Sequence, residues 1–210
     1  MNESMEHSWN RLMRWRAECY QRFGSVTDLP FRSPSDVLPE LLGNNGKALD
    51  LGAGAHKPFK SMLEGLGATY FSMDIDPDGD FDFNSFSDVP EGMRFDLILA
   101  NQVLEHVSVD EAFNMVNRAH ESLVESGIIV VTVPNAAHPV RQRDCTHVTP
   151  WPVNDLYSIL RAAGFEIESM ARYNKFPLTD HPLKRWIVKV VCREFRMDWC
   201  DSIMAIGRRE

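Results

Sequence analysis

The stretch that most constrains the fold of this chain is a short apolar strand that breaks into a two-glycine turn. It reads Lys47-Ala48-Leu49-Asp50-Leu51-Gly52-Ala53-Gly54-Ala55-His56-Lys57-Pro58. Gly52 and Gly54 allow a sharp turn and let the backbone lie against a ligand, because neither residue carries a Cβ. Pro58 is typical of a first helical turn, and apolar residues at helical spacing follow it. The unit is strand, glycine turn and helix, and it indicates a nucleotide-like ligand.

An acidic residue at the end of the next predicted strand strengthens this interpretation. Residues 68–73 predict a strand that ends at Asp74, roughly 20 residues after the glycines, which is the distance expected for a carboxylate that accepts hydrogen bonds from ribose hydroxyls. The glycine turn alone is a weak signal, because the dinucleotide fingerprint needs a third glycine. Together, the two strand ends predict one nucleoside-binding crevice.

Composition limits the class of protein. The chain has 210 residues, of which 44% are hydrophobic, so we expect a single domain with one core. We expect residues 41–210 to form the ligand-binding domain and residues 1–40 to be an N-terminal helix and connector that pack on it. The net charge of -8 disfavours a broad nucleic-acid interface and tethering to anionic lipid.

The sequence also predicts the location of the protein and its metal content. The sequence has no recognisable signal peptide and no apolar run long enough to span a bilayer, which predicts a cytoplasmic protein. The four cysteines are scattered and form no CxxC pair, so we expect reduced thiols and no metal site.

Strand and helix patterns alternate through most of the chain. A capping box of Ser108 and Glu111 predicts the start of a helix that we expect Gly127 to end. The other predicted helices cover residues 5–23, 152–163 and 183–195, the other predicted strands cover residues 81–83, 95–100, 128–133, 165–170 and 199–207, and residues 28–39 are predicted to be a connector. The helix over residues 5–23 either covers the sheet or acts as a lid over the ligand. This order predicts an α/β fold with one mostly parallel sheet, helices on both faces and an antiparallel last strand.

Two loops carry further candidate residues. Asp82 and Phe83 follow an acidic turn and offer a purine ring an acceptor and a stacking partner, although such a turn is often only solvated. Residues 136–150 form a long loop, expected at the carboxyl end of the sheet where ligands bind. Its histidines, His138 and His147, are candidates for a general base or an acceptor contact, unless backbone groups simply satisfy them.

Polar residues also follow the predicted strand at residues 95–100. Glu105 and His106 lie just past its end. They either take part in the site or brace the loop before the capped helix.

Taken in order, these segments resemble the successive motifs of class I S-adenosylmethionine-dependent methyltransferases. The likeness rests on the glycine turn, Asp74, residues 95–107 and residues 126–135, and it covers about residues 47–165. It implies a Rossmann-like three-layer sandwich with a mostly parallel seven-stranded sheet and an antiparallel last strand. It also implies S-adenosyl-L-methionine as the cofactor and S-adenosyl-L-homocysteine as the product.

The resemblance assigns roles to individual residues. Those it places around the cofactor are Asp50, Gly52, Ala53, Gly54, Asp74, Ile75, Asp82, Phe83 and Asn101. The glycine turn would hold the methionine part, Asp74 the ribose hydroxyls, and Asn101 would lie near the transferable methyl group. The candidate catalytic residues are His106, His138 and His147. His56 stands where the family usually has a small residue, so either the turn is wider or His56 faces the pocket.

Within the family, the likeness is to members often found with polysaccharide or natural-product biosynthesis. These have a histidine after the fifth strand, an Asp-aromatic-x-Arg-aromatic-Thr segment and a helix that ends in Gly-Phe. The corresponding residues here are His138, residues 144–149 and residues 163–165, with His147 in place of the arginine. The implied reaction is methyl transfer by in-line displacement to a small molecule, a sugar or a lipid-linked glycan.

The same residues bear on three other functions. Nucleic-acid amino-methylation is disfavoured, because Asn101-Gln102-Val103-Leu104 differs from the Asn/Asp-Pro-Pro-aromatic sequence of such enzymes. An NAD(P)-dependent oxidoreductase with a Rossmann fold also uses a strand, a glycine turn and an acid, but its fingerprint contains a third glycine. A non-catalytic S-adenosylmethionine-binding protein would keep the same cofactor residues.

Overall fold

The computed structural model describes residues 3–43, 45–139, 144–175, 181–195 and 197–210, without the side chains of residues 3–9, 174, 175, 185 and 189. The helices are α1 Glu3–Phe23, α2 Pro34–Leu41, α3 Lys60–Gly65, α4 Val109–Ser122, α5 Val153–Ala162 and α6 Pro182–Glu194. The strands are β1 Lys47–Leu51, β2 Thr69–Met73, β3 Phe95–Asn101, β4 Leu123–Pro134, β5 Phe165–Lys175 and β6 Cys200–Arg209.

The described strands form one sheet in the order β2-β1-β3-β4-β6-β5. Strands β1 to β4 pair in parallel, and β6 lies antiparallel between β4 and β5. The mostly parallel sheet and the antiparallel last strand are therefore confirmed. The strand order reverses between β1 and β3, so the carboxyl ends of these strands flank the crevice where ligands bind in open α/β sheets.

The sheet has six strands in the described residues, where seven were expected. Residues 81–83 do not form the short strand that the sequence predicted, because only one isolated bridge joins Phe83 to Met73. The backbone of Phe83 bonds to Ser72 and Asp74 on either side of that bridge. At the neighbouring position, the Asp82 carboxylate accepts from the Ser72 backbone N–H at 2.8 Å. A side chain thus takes the place of a further ladder bond.

Both faces of the central strands are buried. Along β3, Ile98 and Ala100 belong to one apolar cluster, while Leu97 and Leu99 belong to another. The first cluster contains buried side chains of α1, α4 and α5, and the second contains buried side chains of α2 and α3. The alternation of side chains along a strand therefore produces three layers, with the sheet in the middle.

The N-terminal helix α1 is fixed to α5 and the start of β5 by polar contacts as well as by packing. The Tyr157 hydroxyl donates to Glu18 Oε1 at 2.5 Å, and Arg22 donates to Glu166 at 2.6 Å. Leu12 and Trp15 of α1 line a cavity together with Trp151 from the loop after β4, so this part of the helix lies near the carboxyl edge of the parallel strands. The helix therefore covers one face of the sheet and also extends to the edge where the crevice lies.

Several predicted boundaries are wrong. Helix α4 begins at the expected capping box, with the Ser108 backbone N–H donating to Glu111 at 2.9 Å, but it ends at Ser122. Gly127 lies inside β4, where a Cβ would be 2.9 Å from the Val124 carbonyl oxygen. The pairing with β3 shifts register there and Ser126 has φ +61, so the glycine permits a bulge and does not end the helix.

Two further elements differ from the prediction. The expected connector at residues 28–39 contains most of helix α2, whose capping box pairs the Ser33 backbone N–H with the Asp36 carboxylate at 2.7 Å. Helix α3 begins at Lys60, and Pro58 lies in the turn before it. In the described part of the chain, no helix combines the length and the apolar character needed to cross a membrane.

Candidate active site

The glycine turn after β1 is tied to the end of β2. The backbone N–H groups of Gly52 and Ala53 both donate to the Met73 carbonyl, at 2.8 and 3.2 Å. Gly52 has φ +70, and a Cβ there would lie 2.4 Å from the side chain of Val103. Gly54 has φ +59, and no described atom lies within 4 Å of the position that its Cβ would take. Gly52 is therefore required by close packing, while Gly54 borders open space.

Asp74 lies directly against this turn, as the sequence predicted for one crevice. Its Oδ2 accepts from the Gly54 backbone N–H at 2.8 Å, and its Oδ1 accepts from the Asp76 backbone N–H at 3.1 Å. A carboxylate oxygen accepts two hydrogen bonds, so both oxygens keep acceptor capacity for a ligand. Ile75, the next residue, is 85% exposed.

Asp50 is buried beneath the turn and is 1% exposed. The Tyr70 hydroxyl donates to its Oδ2 at 3.0 Å. Burial raises the pKa of Asp50 to about 6, while the Tyr70 hydrogen bond lowers the pKa and the nearby Asp74 charge raises it. The carboxylates of Asp50 and Asp74 therefore both lie close to the glycine turn, and their negative charges would favour a cationic ligand there.

Asp82 and Phe83 lie beside the end of β2, and both make contacts within the sheet region. Asp82 Oδ2 accepts from both the backbone N–H and the hydroxyl of Ser72, at 2.8 and 2.7 Å. Partial burial opposes ionisation of Asp82, but these hydrogen bonds outweigh it and lower the pKa. The Phe83 ring is 9% exposed, stacks on Phe71 at 5.9 Å and meets Phe95 edge-on. This packing in the core gives no support to the expected stacking of Phe83 on a purine.

Asn101 is held at the end of β3 by Thr132 of the neighbouring strand β4 and by Tyr173 of the edge strand β5. Its Oδ1 accepts from the Thr132 hydroxyl at 2.8 Å and from the Tyr173 hydroxyl at 3.4 Å. The next residue, Gln102, has φ +58 and donates its backbone N–H to the Thr132 carbonyl at 3.0 Å. The chain therefore leaves β3 in a fixed direction, towards the 3-10 turn Leu104–His106.

Two of the three candidate histidines meet although 41 positions separate them in the sequence. The rings of His106 and His147 lie edge to face with centroids 5.0 Å apart. His138 is buried elsewhere, with its Nε2 3.6 Å from Asp201 and its ring against Trp199. His56 is exposed on the turn. The structure therefore groups His106 with His147 and places His138 against β6 and the residue before it.

Glu105 is the functional candidate whose position the sequence did not reveal. It is 1% exposed, and neither carboxylate oxygen has a hydrogen-bond partner among the described residues. Burial raises its pKa to about 7; the nearby Asp144 charge acts in the same direction, and the dipole of the residue's own backbone N–H acts against it. Its backbone carbonyl accepts from the N–H groups of Val148 and Thr149, which fixes the loop after β4 beside it. Such a carboxylate is unusual, because buried polar groups are almost always paired.

Two cavities adjoin this loop. The smaller, of about 90 Å³, is lined in part by Glu105, His147 and Trp151. The larger, of about 380 Å³, lies between α1, α4 and α5, with Trp15 and Phe113 in its wall. The cavities share the wall 149–151. The indole N–H of Trp151 is buried and has no partner in the described part of the chain.

A family model described as "Methyltransferase domain" matches residues 20–170. The chain belongs to this methyltransferase family. By family and by fold it is a class I methyltransferase, with S-adenosylmethionine as its cofactor. Of the alternatives raised by the sequence, the oxidoreductase is disfavoured by this match.

Solved structures with the same fold have low sequence identity to this chain. A SAM-dependent methyltransferase from Archaeoglobus fulgidus is 17% identical, with TM-score 0.62, over 85% of this chain and 96% of the other. A complex of the Haloferax volcanii Trm112 methyltransferase activator with a methyltransferase gives 15% identity and TM-score 0.59, over 95% and 96%.

A third similar structure is a TehB-like SAM-dependent methyltransferase from Corynebacterium glutamicum. It is 17% identical, with TM-score 0.55, over 98% of this chain and 99% of the other. A search of curated proteins found no match. At these identities, the structural likeness establishes the fold alone.

Proposed function

We propose that this methyltransferase acts on a small molecule, a sugar or a lipid-linked glycan. The observation that carries this proposal is the cavity of about 380 Å³ at the carboxyl edge of the sheet. Its volume lies in the range of small-molecule sites. Its wall combines three aromatic side chains with four charged ones, two basic and two acidic. Trp15, Phe113 and Trp151 offer flat apolar surfaces, and aromatic side chains of this kind suit a sugar or a ring system.

We infer that the cofactor lies in the crevice between the glycine turn and β3. Three features of the crevice fit the cofactor. Open space borders Gly54, and the Asp74 carboxylate can accept further hydrogen bonds. Asp50 is buried close enough for the Asp74 charge to raise its pKa. Asp74 would accept from the ribose hydroxyls, and the turn with Asp50 would hold the methionine part. When bound, S-adenosylmethionine supplies a methyl carbon made electrophilic by a sulfonium.

The role of the remaining residues is to position the reactants. Alignment of two reactants can account for roughly 7–11 kcal/mol of a barrier, so in-line displacement needs no covalent intermediate on the protein. Asn101, held by Thr132 and Tyr173, would define the side of the crevice nearest the methyl group. His147 and Trp151 would contact the acceptor from the wall of the smaller cavity. A general-base role for His138 remains a prediction.

The experiment compares binding with turnover. Calorimetry of the full chain with S-adenosylmethionine and with NAD is expected to show uptake of the methyl donor only. Release of S-adenosylhomocysteine is then followed with panels of sugars, glycans and small aromatic alcohols. Product that forms with one acceptor class and falls in Phe113→Ala supports the proposal.

Two outcomes of that experiment would contradict the proposal. Donor binding without release from any panel would favour the non-catalytic binding protein. Turnover that requires a protein or nucleic acid would contradict the proposed acceptor class. Thermal unfolding of Phe113→Ala, compared with that of the parent chain, separates lost packing from a lost acceptor contact.

A further inference from the structure

Three potential metal ligands converge beside the smaller cavity. One ligand atom from each of Glu105, His106 and His147 lies within 4.8 Å of the other two. The first two residues come from the 3-10 turn after β3, and the third comes from the loop after β4. Because these segments are far apart in the sequence, only the fold brings the three side chains together.

The state of Glu105 is an observation independent of this proximity. Its side chain is buried, and neither carboxylate oxygen meets a donor among the described residues. Burying a carboxylate without a partner is costly, and natural proteins normally pair such groups or coordinate them to a metal. The two imidazole rings beside Glu105 are metal ligands in their neutral form. A bound cation would provide the missing partner.

We propose that Glu105, His106 and His147 bind one divalent transition-metal ion. Two imidazoles and one carboxylate suit Zn²⁺, Fe²⁺ or Mn²⁺, whereas Mg²⁺ and Ca²⁺ prefer sites made only of oxygen ligands. Three protein ligands leave at least one coordination position open. The smaller cavity, which Glu105 and His147 line, provides space for a further ligand on that side.

The surrounding hydrogen bonds orient the histidines as a metal site requires. The Thr146 hydroxyl donates to Asp144 Oδ1 at 2.7 Å, and its oxygen is 3.1 Å from His106 Nδ1. Since the hydroxyl has only one hydrogen, His106 Nδ1 must be the donor in the second contact. This tautomer leaves the lone pair on Nε2 free. Asp144 also lies 3.9 Å from His147 Nε2, so one short segment organises both rings.

The metal would act on the acceptor, an inference that rests on the proposed function. An acceptor hydroxyl coordinated at the open position would have a lowered pKa and would release its proton to water. The resulting oxygen would form a bond to the methyl carbon as the carbon–sulfur bond breaks, and that electron pair would remain on the sulfur of S-adenosylhomocysteine. The acceptor class is therefore narrowed to hydroxyl compounds.

The test is metal binding to the full, tag-free chain after chelator treatment. Titration with Co²⁺, followed by its visible absorption and then by displacement with Zn²⁺, is expected to show one site per chain. Glu105→Gln and His147→Ala should each weaken the affinity by about tenfold or more, while the exposed His56→Ala serves as the matched control and should bind as the parent does. Without metal, Glu105→Gln should unfold at a higher temperature than the parent, because it removes an unpartnered charge.

Two results would overturn the metal site. One is the absence of stoichiometric binding by the parent chain, and the other is binding that is unchanged in both Glu105→Gln and His147→Ala. Calorimetry with S-adenosylhomocysteine on the same samples distinguishes failure of the metal site from failure of the proposed function. Variants that lose the metal but still bind S-adenosylhomocysteine support a site on the acceptor side. A parent chain that binds metal but not S-adenosylhomocysteine would contradict the proposed function and leave the metal site intact.

Discussion

The two halves of the carboxyl edge of the sheet differ in how their polar groups are satisfied. At the ends of β1 and β2, Asp50 accepts from Tyr70 and Asp74 accepts from Gly54. At the ends of β3 and β4, Glu105 and the Trp151 indole have no partners among the described residues. The first half is ordered by its own hydrogen bonds, whereas the second half contains buried polar groups that have no partner in the described part of the chain, as expected of a site that binds a ligand through them.

The largest effect is expected from a substitution in the glycine turn after β1. Gly52→Ala places a Cβ against Val103 on a backbone with φ +70, which should cost ~1–3 kcal/mol for overpacking and ~1–2 kcal/mol for backbone strain. Affinity for S-adenosylhomocysteine should fall with it. Gly92→Ala is the control, because Gly92 also has positive φ but no atom within 4 Å. Urea unfolding and calorimetry measure both effects, and equal losses in the two variants would refute the contact with Val103.

The next effect concerns the carboxylate at the end of β2. Asp74→Ala should weaken S-adenosylhomocysteine binding by ~1.5–3 kcal/mol, since charge-assisted hydrogen bonds to the ribose are lost, which is about tenfold or more in Kd. Asp78→Ala, an exposed acid in the same loop, should leave the affinity unchanged. An Asp74→Ala chain that binds as tightly as the parent would remove Asp74 from the ribose site.

Asp50 should give opposite pH dependences of stability and binding. Its pKa is raised by burial from 3.8 to about 6, so the folded chain binds the proton more tightly than the unfolded chain does. Its contribution to the free energy of unfolding, ~1–3 kcal/mol, is present below the unfolded pKa and is lost as pH rises through about 6. Affinity for S-adenosylhomocysteine should rise in the same window, because the ionised carboxylate favours the ligand's ammonium group.

Asp50→Asn is the control for that pH dependence. It cannot titrate, so both slopes should flatten when urea unfolding and calorimetry are repeated across the window. A parent chain whose stability is level through pH 6 would contradict the burial of an ionisable Asp50.

The smallest effect is expected from a substitution in the loop after β4, which should change turnover but not cofactor affinity. His147→Ala should lower turnover by about tenfold through loss of acceptor positioning, with the Kd for S-adenosylhomocysteine within twofold of the parent value (~0.4 kcal/mol). Steady-state kinetics with an identified acceptor, together with calorimetry, distinguish the two parameters. If affinity and turnover decline together, the loop after β4 also contacts the cofactor, and the distinction between the two halves fails.

The same division separates what the sequence predicts from what it does not. The glycine turn and Asp74 are predictable because each signal is local: a strand end followed by a residue type that the backbone requires. The grouping of Glu105, His106 and His147 cannot be predicted in this way. It depends on the backbone N–H groups of residues 148 and 149, which donate to the Glu105 carbonyl from more than 40 positions away. No periodicity or spacing reports such a contact.

Two other elements differ from the sequence prediction for local reasons. Ser33 and Asp36, with Pro34 between them, form a capping box of the same kind as Ser108 and Glu111, yet the proline content of the segment favoured a connector. Phe83 alternates with polar residues as an edge strand does, but its ring completes an aromatic cluster with Phe71 and Phe95. Local alternation does not reveal which neighbours a ring will meet.

A crystal structure with bound S-adenosylhomocysteine tests the division most directly. We expect the ribose on Asp74, the homocysteine part along the Gly52–Gly54 turn, and the sulfur directed towards Asn101 and the cavity beside Glu105. A nucleoside seated instead in the cavity between α1, α4 and α5, or in contact with Glu105 and His147, would contradict this division.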